Sequence, residues 1–164
     1  MGIANLFQPN QQVASIADIS LDKLKELGIH GILLDLDNTL VKWNSQSLSN
    51  QVIKWVRMAK KEGFALCIVS NAISFRLQRV AQRLHVPFVS QACKPLTLGI
   101  NKALKLLKLE PSEVVMIGDQ LFTDILAGSW NGMHTIWVRP PKLYEQKWMR
   151  LVRHLETFIY AREV

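Results

Sequence analysis

Three acidic residues stand at the ends of apolar runs. Asp35 closes the run GILLDL with Asp37 just beyond it, and Asp119 follows VVMIG. Neighbouring carboxylates resist ionising together unless a cation joins them, so Asp35, Asp37 and Asp119 imply a metal. Hard oxygen ligands at an open edge suit Mg²⁺, which keeps several waters and takes its other ligands from one or two carboxylates and a substrate phosphate. Lys94 adds a positive charge and Ser70 a hydroxyl donor. The backbone amides at Asn71 and at the helix start after it offer further donors for phosphate oxygens. Phosphoryl transfer to water is easier in two steps, with a carboxylate as first acceptor. A second acid then protonates the departing alkoxide and later deprotonates the attacking water. An Asp-x-Asp pair supplies both groups.

A fold must bring these residues to one rim. Short apolar runs occupy residues 31–36, 64–70, 86–90, 114–118 and 134–138, and segments with a period near 3.6 lie between them. Strand and helix alternating in this way predict an α/β protein, a parallel sheet covered on both faces with right-handed crossovers. Ligands bind such sheets beyond the carboxyl ends of the strands, where strand order reverses. At those ends stand Asp35 to Thr39, then Ser70 and Asn71, then Lys94, then Gly118 to Asp124. A helix over 21–27, capped by Ser20 and stopped by Gly28, precedes the first of the five strands. Another, at 144–160, follows the last. No repeat or linker divides the chain, so residues 1–164 read as one domain with a helical lead-in over 1–30.

The composition fits this reading. In 164 residues, 49% hydrophobic and 20% charged, there is enough apolar material for one core, which excludes disorder, a fibre or a disulfide mini-protein. No apolar run approaches the ~20 residues of a spanning helix, and the opening MGIANLFQPNQQ lacks a signal-peptide pattern, so a soluble, cytoplasmic protein is expected. Cys67 and Cys93 read as free thiols. Twenty Lys and Arg against thirteen acids give a net charge of +7, which calls for an anionic partner: nucleic acid, an acidic membrane surface or a phosphorylated molecule. No aromatic-basic motif supports a specific nucleic acid. The four histidines, at 30, 85, 134 and 154, have no ligand spacing.

The run DLDNTL at 35–40, with Ser70, Lys94 and GDQLFTD at 118–124, resembles the four motifs of the haloacid dehalogenase (HAD) superfamily in order and spacing. The resemblance covers about residues 15 to 140. It implies a three-layer Rossmann-like fold with a five-stranded parallel sheet in the order 5-4-1-2-3. Asp35 would be nucleophile and Mg²⁺ ligand, Asp37 general acid/base with its main-chain carbonyl on the metal, and Asp119 a further ligand. Asp124 would join the ligands, or orient Lys94 or a water on the metal. Ser70 and Lys94, with Asn71, would hold the phosphoryl group, and Thr39 would buttress the loop. The presence of Asp37 favours a phosphatase over a dehalogenase. Eleven residues, Asn38 to Leu48, separate the acid/base from the first crossover helix, and residues 71–93 hold one helix and one strand, so neither interval accommodates a cap domain. GILLDLDNTL, GDQLFTDI and GMHTIWV resemble the YqeG-type branch of subclass IIIA, similar to phosphatases that hydrolyse phosphatidylglycerophosphate. A membrane lipid phosphate fits a capless, basic protein seated peripherally at the inner face of a membrane; a soluble sugar or nucleotide phosphate is the rival substrate.

Plainer readings stand beside these. Asp-x-Asp-x-Thr resembles the start of a calcium loop, but Leu40 replaces its glycine and Gln46 its bidentate glutamate. A phospho-receiver module also combines acids, a hydroxyl and a lysine, yet its acceptor stands at the third strand, where VPFVS has none. Arg76, Arg79 and Arg83 share a helix face that reads as solvated, with Arg76 nearest the site and assigned with Lys94 to the phosphate. Tyr144, Trp148, Leu151, Leu155 and Phe158 form a stripe on a basic helix, suited to packing or to a membrane interface; Ile3, Leu6 and Phe7 add apolar surface. The oligomeric state is left open.

Overall fold

The computed structural model describes residues 6–72 and 75–139. The expected helix over 144–160 and the apolar Ile3 lie outside the described residues. Six parallel strands form one sheet: β1 (Gln11–Val13), β2 (Gly31–Leu34), β3 (Ala65–Val69), β4 (Phe88–Val89), β5 (Val114–Gly118) and β6 (His134–Val138), in the order β1-β6-β5-β2-β3-β4. The five expected runs take their expected order, and β1 corrects the strand count from five to six. It lies inside the stretch expected to be a helical lead-in.

Each central strand is buried on both sides, which is why these runs are continuously apolar rather than alternating. One face carries Ile32, Leu34, Ile68 and Ile117 against α1 (Leu21–Glu26), α2 (Asn50–Lys61) and α3 (Phe75–Leu84). The other carries Leu33, Cys67, Val69 and Met116 against α4 (Thr97–Leu107) and α5 (Leu126–Trp130). Helix starts follow their caps. Ser20 accepts from the Lys23 amide at 3.3 Å, and Ser49 from the Val52 amide at 3.2 Å. Trp55 reaches across to donate its indole N–H to the Ile19 carbonyl at 2.9 Å.

Two details differ from expectation. The run at 86–90 shortens to β4, because Pro87 has no N–H and this is the sheet's edge. The helical segment near 125 begins as a π-helical turn, Leu121–Ile125, before α5. Between β2 and α2 the chain makes a compact loop, with Val41 bridging to Asp37 on one side and Leu48 on the other. Leu40, Val41 and Leu48 are buried, and among the described residues no cap domain is inserted between the strands.

Strand β1 is seated by pairing rather than propensity. Gln11 to Val13 run beside Ile136 to Val138, and Asn10 just before them accepts from the Thr135 amide at 2.8 Å and the Thr135 hydroxyl at 3.0 Å. Thr135 is fully buried. Replacing Asn10 with Ala strands that amide and is expected to lower stability by about 1–3 kcal/mol in urea unfolding. A change below about 0.3 kcal/mol would show that strand pairing alone holds β1.

Candidate active site

Four strand ends deliver the polar set. Asp35 continues β2, with its amide donating to the Ile117 carbonyl at 2.9 Å. Asp119 follows β5 directly, Ser70 follows β3, and Lys94 lies beyond β4. Asp35, Ser70, Lys94, Asp119, Asp124 and Thr39 are all buried. The expected residues therefore converge at the carboxyl edge of the sheet.

Lys94 sits among the carboxylates. Its ammonium donates to Asp35 Oδ1 at 2.7 Å and to the Val69 carbonyl at 2.7 Å, and pairs with Asp124 Oδ1 at 2.6 Å. An ammonium has three donors, so all are engaged inside the protein. Asp124 thus reaches Lys94, as one of its expected roles required. Its other oxygen accepts from the Gln120 amide at 3.1 Å. This packing needs Gly118, since a Cβ there would lie 2.2 Å from Asp124 Oδ2.

Asn71 fixes the loop that carries Lys94. Its amide donates to the Lys94 carbonyl at 2.9 Å, and its side-chain oxygen accepts from the Lys94 amide at 2.7 Å. The Ser70 hydroxyl accepts from the Ala72 amide at 3.3 Å. Thr39 is buried within the loop, its hydroxyl without a hydrogen-bond partner among the described residues.

Three contacts had gone unassigned. Asn38, inside the DLDNTL run, donates to Asp119 Oδ2 at 3.0 Å, and its positive φ of 56° turns the chain there. The Trp137 indole donates to the Asp119 carbonyl at 2.8 Å. Arg76, expected on a solvated face or with Lys94 at the phosphate, is instead taken up by Asp37: its two terminal nitrogens meet Oδ1 at 2.6 Å and Oδ2 at 2.9 Å. The position of Asn38 within a motif was a usable signal; the other two depend on partners distant in sequence.

One carboxylate oxygen from each of Asp35, Asp119 and Asp124 lies within 4.8 Å of the others, whereas the Asp37 carboxylate stands apart on Arg76. Burial pushes the Asp35 carboxyl up to about 8, with Lys94 opposing and Asp124 and Asp119 adding to the rise. Burial pulls Lys94 down, but Asp124 and Asp35 more than offset it and hold the ammonium above its ordinary value. With all three carboxylates ionised against one ammonium, two negative charges remain. A divalent cation on hard oxygen ligands matches that deficit in charge and chemistry.

Gathered at this edge, the carboxylates, the ammonium and the hydroxyl form a set suited to handling a phosphoryl group. Comparison with known proteins goes further: the family described as "Mitochondrial PGP phosphatase" matches residues 3–142, and the chain belongs to it. It is 39% identical to "Probable phosphatase YqeG" of Bacillus subtilis strain 168 over 138 residues, covering 84% of this chain and 80% of that protein. It is 24% identical to Arabidopsis thaliana "Phosphatidylglycerophosphate phosphatase 1, chloroplastic/mitochondrial", over 94% of this chain and 47% of that one. In fold it is similar to Moraxella catarrhalis 3-deoxy-D-manno-octulosonate 8-phosphate phosphatase, solved with magnesium, phosphate and the sugar acid. That match has a TM-score of 0.53 and 17% identity, over 85% of this chain and 91% of that one.

The displaced Asp35 carboxyl sets a pH dependence. Its folded-state value, about 8, lies above its ordinary 3.8, so the cation-free fold holds a proton that the unfolded chain has lost. Stability of the cation-free protein therefore falls as pH rises through that interval. A cation must displace that proton, so it binds more tightly at pH 8 than at pH 5. EDTA-treated protein titrated with MgCl₂ is expected to gain about 2.7 kcal/mol of stability at a hundredfold excess over Kd, read as a rise in Tm. The gain should be larger at pH 8 and lost in Asp119→Asn. Equal Tm with and without Mg²⁺ at both pH values would remove the cation from this site.

Proposed function

We propose that this protein is a Mg²⁺-dependent phosphomonoesterase that works through an aspartyl-phosphate on Asp35 and acts on phosphatidylglycerophosphate at an anionic membrane surface. The observation that carries the chemistry is the buried Asp35 carboxylate, aimed by Lys94 beside Asp119 and Asp124. Those three carboxylates, with the Asp37 main-chain carbonyl, would hold Mg²⁺, which when bound supplies positive charge against the phosphoryl oxygens.

Asp35 attacks phosphorus while the bond from phosphorus to the alcohol oxygen breaks, and the departing oxygen takes a proton from the Asp37 carboxyl. Asp37, now a carboxylate, takes a proton from water. The water oxygen attacks phosphorus, the bond to Asp35 breaks, and inorganic phosphate leaves with both carboxyls restored. The Ser70 hydroxyl and the Asn71 backbone N–H hold phosphoryl oxygens. Lys94 keeps the attacking carboxylate oriented and Asp124 keeps Lys94 in place.

Support for a lipid comes from the rim. Phe75, at the first residue of α3, is 84% exposed, and Leu96 and Leu98, at the start of α4, are 56% and 68% exposed. They follow Asn71 and Lys94 closely in a chain that these two residues staple together. Exposed apolar side chains beside an open anion site, on a chain of net charge +7, suit an anionic bilayer. The name of the Arabidopsis relative points the same way. Among the described residues no helix is long and apolar enough to cross a membrane. A soluble ester remains the rival, and it draws on 27% identity to a Pyrococcus furiosus glyceraldehyde 3-phosphate phosphatase over 52% of this chain.

Hydrolysis of phosphatidylglycerophosphate in mixed micelles is expected to exceed that of sugar and nucleotide monoesters. Turnover of a soluble ester with none of the lipid would overturn the substrate. Asp35→Asn is expected to lower kcat by at least about 10³-fold with the thermal transition intact, and retained activity would overturn the nucleophile.

A further inference from the structure

Asp37 is held by a side chain from the opposite wall of the rim. Arg76, on the first turn of α3, meets both of its carboxylate oxygens in a fork, at 2.6 and 2.9 Å. The same nitrogen that bonds Asp37 Oδ1 also donates to the Ser45 carbonyl at 2.9 Å, and the Asn44 amide donates to Asp37 Oδ1 at 3.3 Å. One turn further on, Arg79 donates to Gln46 Oε1 at 3.4 Å. The side chains of Arg76 and Asp37 are only 19% and 13% exposed, so this is not a loose surface pair. Asp37 lies two residues beyond Asp35 on a loop that no cap covers among the described residues, and within that loop the Asn44 amide donates to its carboxylate. The α3 fork fixes both the carboxyl plane and the loop.

We propose that Arg76 is the positioning residue for the general acid: its fork holds the Asp37 carboxyl where the alcohol oxygen departs. The proposal rests on the acid/base reading of Asp37. A fork fixes a plane where a point charge does not, so Lys at this position restores charge without geometry. Misplacing a proton donor harms an ester in proportion to how badly its alcohol leaves. An alkyl alcohol needs the proton; p-nitrophenol leaves without it. A residue that merely supported the fold, or that bound the phosphoryl group, would affect both esters alike.

The test compares kcat/KM, which reads the chemistry up to loss of the alcohol, on p-nitrophenyl phosphate and on an alkyl ester. The alkyl ester is whichever of glycerol 3-phosphate and phosphatidylglycerophosphate the wild-type enzyme turns over faster, so failure of the lipid reading leaves this test intact. Arg76→Ala is expected to lose at least about tenfold on the alkyl ester and less than about threefold on the aryl one, with Arg76→Lys between it and wild type. Adding Arg76→Ala to Asp37→Asn should cause no further alkyl loss, because the two act as a unit. Equal losses on both esters, in Arg76→Ala or in Arg76→Lys if the former fails to fold, would overturn the proposal. If Asp37→Asn discriminates between the esters and Arg76→Ala does not, Arg76 is excluded while the acid survives. If Asp37→Asn does not discriminate, both roles fall.

Discussion

An ammonium buried among carboxylates is the constraint around which the site is built. Taking an ion out of water costs several kcal/mol even after relaxation, and the penalty is offset only when geometry and hydrogen bonding are complete. Lys94 meets that condition with its three donors on Asp35, Asp124 and the Val69 carbonyl. Each acceptor belongs to a different strand end, so the ammonium ties together the chain after β2, β3 and β5. Asn71 holds the backbone of Lys94 from both sides, and Gly118 leaves the space into which Asp124 folds. Removing Asp35 or Asp124 would leave an ammonium donor buried without its acceptor, which couples the fold to the site.

The sheet order explains why the residues meet. β2 lies between β3 and β5, so the chain leaves β2 in one direction and later returns on its other side. Residues just past the carboxyl end of β2 therefore face loops from both halves of the sheet, as at other topological switch points. Asp35 is central and receives Lys94 from beyond β4 and Asp119 from β5. Asp37 is carried outward by two residues, away from the carboxylate cluster and within reach of α3. The two acids of one motif thus sit in different surroundings, one beside Lys94 and two further carboxylates, the other in an arginine fork. Different tasks for chemically identical side chains require such a separation.

Much of this was legible in the chain itself. Strands buried on both faces need unbroken apolar runs, so their positions and their bounding polar residues were visible, as were Asp35, Asp119, Ser70 and Lys94. What escaped depends on partners distant in sequence. Gln11 to Val13 carry no apolar pattern and become a strand only because β6 offers an open edge and Asn10 meets Thr135. Arg76 shares its spacing with Arg79 and Arg83, and nothing local separates a solvated arginine from one aimed at an acid 39 positions away. Trp137 lies in the apolar run 134–138; that its indole holds the Asp119 carbonyl requires knowing that β5 and β6 are adjacent.

A site over which the described residues place no cap must be organised from its own rim. A closing domain both excludes water and brings in orienting groups. Here orientation is built into the resting fold, through the Asn71 staple on Lys94, the Asn38 bond to Asp119 and the Arg76 fork on Asp37. Beside the loops so held, the starts of α3 and α4 expose the apolar side chains Phe75, Leu96 and Leu98. On the proposed reading the two features belong together. A bilayer that presents a phosphorylated headgroup would itself exclude water from the rim, so the work of a lid passes to the substrate's own surroundings and to the apolar residues that meet them.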